Sequence, residues 1–298
     1  MSTTQQTSSA KQPTVFQKAA MVLDRVLDSP ATAYIVLGVL FIVLLSPLIL
    51  MLFTSFKSPV ESQRWPPTIV PHQLDLSAFQ DVIFSSNIPL AIFNSMVVTI
   101  STVAIVVVAA TLTAYGLSQY KYPGSRVLSY ALLATRIIPP ISLTIPFFAM
   151  FAELGLINKK AALVILNVYL NYPIVTWLLI DSFNRFPQAL IDSARIDGAT
   201  RTQTFLLIVI PLAATSIAAG AIITFLFTWN EFLYALTFTQ TEVSMPLTVG
   251  IFEFVGDEVV EWTRLCAVGV FACLPSVTFF IFAQRYVVQG LTAGAIKE

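Results

Sequence analysis

Residues 91–115 read AIFNSMVVTISTVAIVVVAATLTAY, a stretch without one charged side chain. A helix rises 1.5 Å per residue and a hydrocarbon layer is about 30 Å thick, so roughly 20 apolar residues span a bilayer and this stretch is long enough. Lipid offers no water to unpaired N–H and C=O groups, and a helix satisfies its own. Five more runs meet the same test, at approximately 34–53, 127–150, 161–180, 205–228 extending toward 236, and 265–282.

The composition agrees. The chain has 298 residues, 56% hydrophobic and 11% charged, with a mean hydropathy of +0.81, more apolar surface than a soluble domain of this length could bury. Phenylalanine is abundant (23) and glycine modest (11), which suits lipid-facing helices better than the alternating strands of a membrane barrel. The fold class expected is therefore an all-α integral membrane protein with six transmembrane helices.

Lys and Arg together equal Asp and Glu at 16 each, and the basic residues are scattered, so the footprint of a nucleic-acid partner is missing. Cys266 and Cys273 would lie about 10 Å apart along a helix axis, too far for a disulfide. A polar head precedes a first apolar run of spanning length, unlike a cleavable signal, so that span is expected to be retained. Within the head, Val15, Ala19, Val22 and Val26 recur at helical spacing while Lys18, Asp24 and Arg25 fall elsewhere, the pattern of an interfacial helix.

Positive charge near span ends sets orientation. An even number of spans groups Lys11, Lys18, Arg25, Lys121, Arg126, Arg185, Arg195, Arg201, Arg285 and Lys297 on one side, against Lys57, Arg64, Lys159, Lys160 and Arg264 on the other. Both termini are then expected to be cytoplasmic. Of the two long outer segments, 57–89 is punctuated by proline, and 237–264 carries Glu242, Glu253, Asp257, Glu258 and Glu261 and reads as a solvated acidic loop.

Between the fourth and fifth spans stand Phe186-Pro-Gln-Ala-Leu-Ile-Asp192-Ser-Ala194-Arg-Ile-Asp197-Gly198-Ala199-Thr200 and then Ile208-Val-Ile210-Pro211. This resembles the EAA loop of ATP-binding-cassette (ABC) importer permeases, with Asp192 for the usual Glu, Ser193 for the first Ala and Ile210 for Leu. Further landmarks are similar in order and spacing to the sugar-importing, maltose/trehalose-type branch. They are Ser55-Phe-Lys57-Ser, Asn94-Ser95, Ala114-Tyr115-Gly116, Ile138-Pro139-Pro140, Ile145-Pro146, Gly155-Leu156-Ile157-Asn158, Trp229-Asn230-Glu231-Phe232, and Gln289-Gly290-Leu291-Thr292-Ala293-Gly294-Ala295.

The resemblance implies a type I ABC importer permease fold. It divides the chain into a cytoplasmic tail (1–30), a first span with its outer loop (31–90), a permease core (91–285) and a cytoplasmic C-terminal tail (286–298). Its implied partners are a second permease subunit, two ATPase subunits docking on the 187–200 loop, an extracytoplasmic sugar-binding protein and the bilayer. ATP and Mg would sit on the ATPase subunits. This chain has no G-x-x-x-x-G-K-[ST] loop and no Gly-Lys dipeptide, so phosphate cradling of the usual kind is not expected in it. With one histidine, no H-E-x-x-H and no G-x-S-x-G, it offers no candidate for metal binding or hydrolysis.

The coupling residues carried over are Leu190, Ile191, Asp192, Ser193, Ala194, Asp197 and Gly198. Physical expectations accompany them. Pro187 suits the first position of a short helix. Asp192 in its early turns would meet the positive end of the helix dipole, and Gly198 permits the left-handed residue that ends it. For the translocation path the candidates are Arg136, the one basic residue deep in a span, and Trp229, Asn230 and Glu231 near the outer end of the fifth. Two other readings are a secondary transporter, which would show internal repeats that are not visible here, and a membrane scaffold, which has no need of a coupling loop or of Arg136.

Overall fold

The computed structural model describes residues 29–120, 122–256 and 260–295. Two compact units divide at Phe53. The first holds all but the last two residues of the uncharged helix α1, Pro30–Ser55, of 26 residues with Pro47 inside it; by length α1 spans a bilayer. The interfacial helix expected around residues 15–26 lies outside the described residues.

In the second unit come short helices α2 (Pro59–Ser62) and α3 (Ser77–Phe84), then the 32-residue α4 (Ile88–Gln119). Next are α5 (Ser125–Ala134), α6 (Pro140–Glu153) and α7 (Lys160–Asn184). The loop pieces α8 (Gln188–Ile196), α9 (Arg201–Thr204) and α10 (Ile210–Leu212) lead into α11 (Ala214–Trp229). The chain closes with α12 (Leu233–Phe238), α13 (Leu247–Gly250) and α14 (Trp262–Ala295). Helices α1, α4, α7 and α14 are long and apolar enough to cross a membrane. Two bent pairs complete six spans when each counts as one: residues 125–137 with α6, bent by 93°, and residues 201–212 with α11, bent by 72°.

Each bend has a local cause. At the first, Pro139 and Pro140 remove two N–H donors, and the chain runs extended from Ile138 (ψ 121°) through Pro139 (ψ 130°) before α6 starts. At the second, a π-turn over Phe205–Val209 precedes Pro211, whose ring and missing donor interrupt the ladder. The last helix continues past the span end expected at 282, into residues first read as a tail.

The core is built on α4. Val106, Ala110 and Ala114 recur every four residues on one face and pack with Val175, Leu179 and Phe183 of α7. α4 and α7 run in the same direction, with the Lys160 ammonium on the Asn94 side-chain oxygen at one end (2.8 Å) and the Tyr115 and Phe183 rings 6.3 Å apart toward the other. Lipid tails are as apolar as leucine, so helices inside the bilayer associate through close packing and hydrogen bonds, and small residues let backbones approach. Gly220 of α11 is such a site: a Cβ there would stand 2.7 Å from Cγ1 of Val175. Valine is stiff at χ1 and cannot swing aside. Gly220→Leu should therefore lower the thermal midpoint in detergent by overpacking, a cost of about 1–3 kcal/mol. Val175→Ala in the same chain should recover part of it. Equal midpoints for the single and double variants would remove this contact as the cause.

The segments at the other ends of the spans are tied, not loose. Lys57 is buried and its ammonium donates to the Thr68 carbonyl. Glu61 accepts from the Thr68 hydroxyl (2.9 Å) and the His72 N–H (3.1 Å), and lies 2.7 Å from His72 Nδ1. The His72 ring, before the other contacts, holds the Glu61 carboxyl below its ordinary range. Arg264 bridges Asp81 and Glu261 at 2.7 and 2.6 Å, and Glu253 accepts the Asn87 N–H at 3.3 Å. The loop read as solvated is thus tied to α3 through Arg264 and to the residue before α4 through Glu253.

Candidate functional site

The helix expected at 187–197 is α8. Pro187 is its cap rather than its first helical residue: at φ −60° and ψ 120° it directs the chain into a helix that begins at Gln188. The C-terminal end is as the sequence suggests. Gly198 has φ +82°, the Ala199 N–H donates to the Ala194 carbonyl (2.9 Å) and the Gly198 N–H to the Arg195 carbonyl (3.1 Å). These are the two bonds of a Schellman end, and they turn the chain out of the helix. Two residues later Thr200 and Gln203 form a reciprocal capping box that opens α9.

The seven coupling candidates fall on two faces. Ile191 and Ala194, three apart, are buried at 3% and 4% exposure, whereas Leu190, Asp192, Ser193, Asp197 and Gly198 are exposed. Ile196, not singled out from sequence, is the most open of the large apolar side chains of α8 at 87%. The available surface is therefore Leu190, Ile196 and the polar residues between them, and Ile191 and Ala194 anchor the helix to its own chain. Asp192 is the fifth residue of α8, in its second turn, where the dipole's effect has begun to fall off. It faces Arg195 at 3.7 Å. The loop is also held against the end of α4, by the Arg201 guanidinium over Tyr120 (5.5 Å) and the Phe205 ring on Tyr115 (4.7 Å).

The path candidates are held in different ways. Trp229 is buried in the core, where its Nε1–H donates to the Ala272 carbonyl of α14 (3.1 Å) and its ring stacks on Phe225 at 5.9 Å. These contacts fix the indole within the core. Asn230 is exposed but its amide bonds back to Leu226 (2.8 Å). Both carboxylate oxygens of Glu231 accept backbone N–H groups of α12, from Tyr234 (2.8 Å) and Ala235 (3.1 Å), and the Glu231 carbonyl accepts the Thr248 hydroxyl (2.8 Å). An anion at a helix N-terminus satisfies orphan donors there. Glu231→Ala should lower the thermal midpoint, by a cost of about 1–2 kcal/mol, while Glu231→Gln, which keeps one acceptor, should recover much of it. If Gln and Ala abolished transport equally with stability intact, Glu231 would belong to the path.

Arg136 is exposed in the turn Thr135–Ile137 at the 93° bend and has no ion-pair partner among the described residues. Tyrosine hydroxyls brace both sides of that bend, Tyr169 on the Thr135 carbonyl (3.4 Å) and Tyr234 on the Pro140 carbonyl (3.1 Å).

Sequence reasoning gave no role to Asn158, which has φ +60°. Its N–H donates to the Phe238 carbonyl, its side-chain oxygen accepts from the N–H groups of Gln240 and Thr241 and from the Ser244 hydroxyl, and its amide donates to the Thr241 hydroxyl. An asparagine tolerates the left-handed region better than other side-chain-bearing residues, and here one residue ties the α6–α7 turn to the segment after α12. Its place in Gly155-Leu-Ile-Asn158 was the available signal. Among the described residues no group of three or more His, Cys, Asp and Glu could hold a metal, and both cysteines are free.

Helices able to span a bilayer, two bent pairs that can each count as one span, and a short helix between the fourth and fifth spans fit the class of membrane permeases. Residues 106–293 match the family described as binding-protein-dependent transport system inner membrane component, and the chain belongs to that family. It is similar to the sulfoquinovosyl glycerol transport system permease protein of Agrobacterium fabrum, 30% identical over 89% of this chain and 93% of that one. Similar too are the trehalose transport system permease protein of Mycobacterium tuberculosis, 31% identical over 91% and 96%, and the trehalose/maltose transport system permease protein of Thermococcus litoralis, 31% identical over 86% and 92%. In fold it matches a chain of a bacterial ABC transporter involved in import of the acidic polysaccharide alginate, with a TM-score of 0.76 at 21% identity, over 93% of this chain and 99% of that chain.

Proposed function

We propose that this permease carries a di- or oligosaccharide inward as one of two permease subunits, with energy from ATP hydrolysed on two partner ATPase subunits and with solute delivered by an extracytoplasmic binding protein. The observation that carries the coupling half of this reading is α8, which displays Leu190 and Ile196 to solvent on a loop ended by a Schellman turn. Exposed apolar residues on a rigid short helix suit a partner's cleft. The sugar half rests on three relatives, each at least 30% identical over most of both chains, whose transport systems carry trehalose, maltose or a glycosylated glycerol.

On this reading α8 and both termini face the cytoplasm, where the ATPase subunits hold ATP and Mg and this chain performs no hydrolysis of its own. Coupling runs through Leu190, Asp192, Ser193, Asp197 and Gly198, with Ile191 and Ala194 as the anchoring face. The test is a complex of both permeases and the ATPases in lipid vesicles, given the binding protein and a panel that includes trehalose and maltose. One sugar should stimulate ATP hydrolysis and accumulate with it. Accumulation driven by an ion gradient without ATP would establish the secondary-transporter reading in its place.

A further inference from the structure

At the end of the molecule that bears α8 an open cleft of about 780 Å³ lies among the last turn of α4, the first turns of α5 and the last turns of α7. That volume is in the range of small-molecule sites. Its two walls have the same make-up. On α7, Trp177 and Asp181 stand one helical turn apart, so they share a face; on α5, Arg126 and Tyr130 do likewise. Tyr122 and Asn184 complete the rim. Trp177 is 49% exposed, and the two tyrosines and both charged residues are open as well.

Each wall thus offers an aromatic face beside a charged hydrogen-bonding group. A saccharide is built to the same plan, with apolar C–H faces and a belt of hydroxyls that both donate and accept. Tryptophan and tyrosine cover the first, while the Arg126 guanidinium donates and the Asp181 carboxylate accepts from the second. An apolar occupant would leave the Arg126 guanidinium unanswered. An anionic lipid headgroup calls for a cluster of basic residues, and Arg126 is the one basic residue in the described lining. Asp181 also accepts from Arg185 at 2.5 Å, and Arg185 ends α7 two residues before Pro187 leads into α8. An occupant of the cleft is therefore one ion pair from the entrance to the coupling loop.

We propose that this cleft is a second saccharide subsite, on the coupling-loop side, through which sugar already delivered there slows further turnover. The inference rests on the sugar-import reading above. An open cleft holds its occupant weakly, so the effect belongs to the millimolar range.

The test uses the whole complex in phosphatidylcholine vesicles with the ATPase subunits outward and the binding protein and stimulating panel sugar enclosed. The same sugar, or sorbitol as an osmotic control, is then added on the ATPase side. ATP hydrolysis should fall with millimolar sugar and not with sorbitol. Trp177→Leu and Asp181→Asn should each raise the half-inhibiting concentration about tenfold, equivalent to ~1.4 kcal/mol. Trp177→Phe should stay near wild type, and all three should turn over normally without sugar on that side. A stimulated wild-type complex indifferent to sugar on the ATPase side would overturn the subsite alone, as would Leu and Asn variants inhibited like wild type. An effect of Trp177→Leu that appears only when phosphatidylglycerol is added would reassign the cleft to lipid. A complex that no sugar stimulates from the lumen would instead sink the sugar reading, and this inference with it.

Discussion

Replacing Gly198 with valine is expected to leave the complex assembled in the membrane and to remove nearly all sugar-stimulated ATP hydrolysis and uptake. The cause is conformational. No atom lies within 4 Å of where a Cβ at Gly198 would stand, so nothing there is crowded by a small side chain. The backbone, at φ +82°, is the obstacle: a left-handed conformation is costly for any side-chain-bearing residue and an outlier for a β-branched one, by about 1–3 kcal/mol. Relief requires abandoning the two Schellman bonds to Ala194 and Arg195, and the chain then leaves α8 in another direction.

Activity should fall in the order Gly, Asn, Ala, Val, because asparagine visits the left-handed region most readily of the three replacements. A steric cause would put alanine ahead of asparagine. Binding-protein affinity for sugar and hydrolysis by the isolated ATPase should be unchanged, since neither contains this loop. Asp192→Ala should do much less. Its carboxylate sits in mid-helix beside Arg195 in an exposed pair, and such pairs contribute little. Wild-type stimulated hydrolysis by the Gly198→Val complex would remove α8 as the coupling element.

What could be read from the sequence follows how far each signal reaches along the chain. Spanning helices depend only on local composition, and the runs near 91–115 and 161–180 reappear inside α4 and α7 with a few residues added. The bend at Pro139-Pro140 and the glycine end of α8 are likewise local, since lost donors and a tolerated positive φ belong to the residues themselves. The contacts of Trp229 and Glu231 were not legible this way. The indole bonds to the Ala272 carbonyl, on another helix, and the carboxylate to the start of α12. The Asn94–Lys160 and Asn158–Thr241 bonds also join distant segments. One sequence without its pairings shows such residues only as polar interruptions. Asp192 does lie in the early turns, but as the fifth residue of α8 it is past the first turn, within which the dipole's effect falls off.

Arg136→Ala is expected to lower uptake about tenfold or more while the complex remains assembled, a barrier increase of at least ~1.4 kcal/mol. An unpaired cation at membrane depth costs roughly 2.5–3.5 kcal/mol on insertion scales and so must meet water, a solute or an acid of another subunit. Within this chain it meets no acid among the described residues, and its side chain is exposed at the 93° break. The break does not need the arginine to persist. Pro139 and Pro140 create it, and the Tyr169 and Tyr234 hydroxyls hold the carbonyls of Thr135 and Pro140 on either side. Loss of the guanidinium should therefore change what the bend offers to its surroundings and not whether the bend forms. Arg136→Lys, which keeps the charge, should recover part of the uptake, whereas Arg136→Gln, which keeps much of the length and some donors, should not. Uptake of sugar into vesicles, with the amount of assembled complex measured beside it, decides the matter. Normal uptake by Arg136→Ala would take this residue out of the path. Loss of the assembled complex, with uptake falling only in proportion, would make the arginine a packing or assembly residue instead.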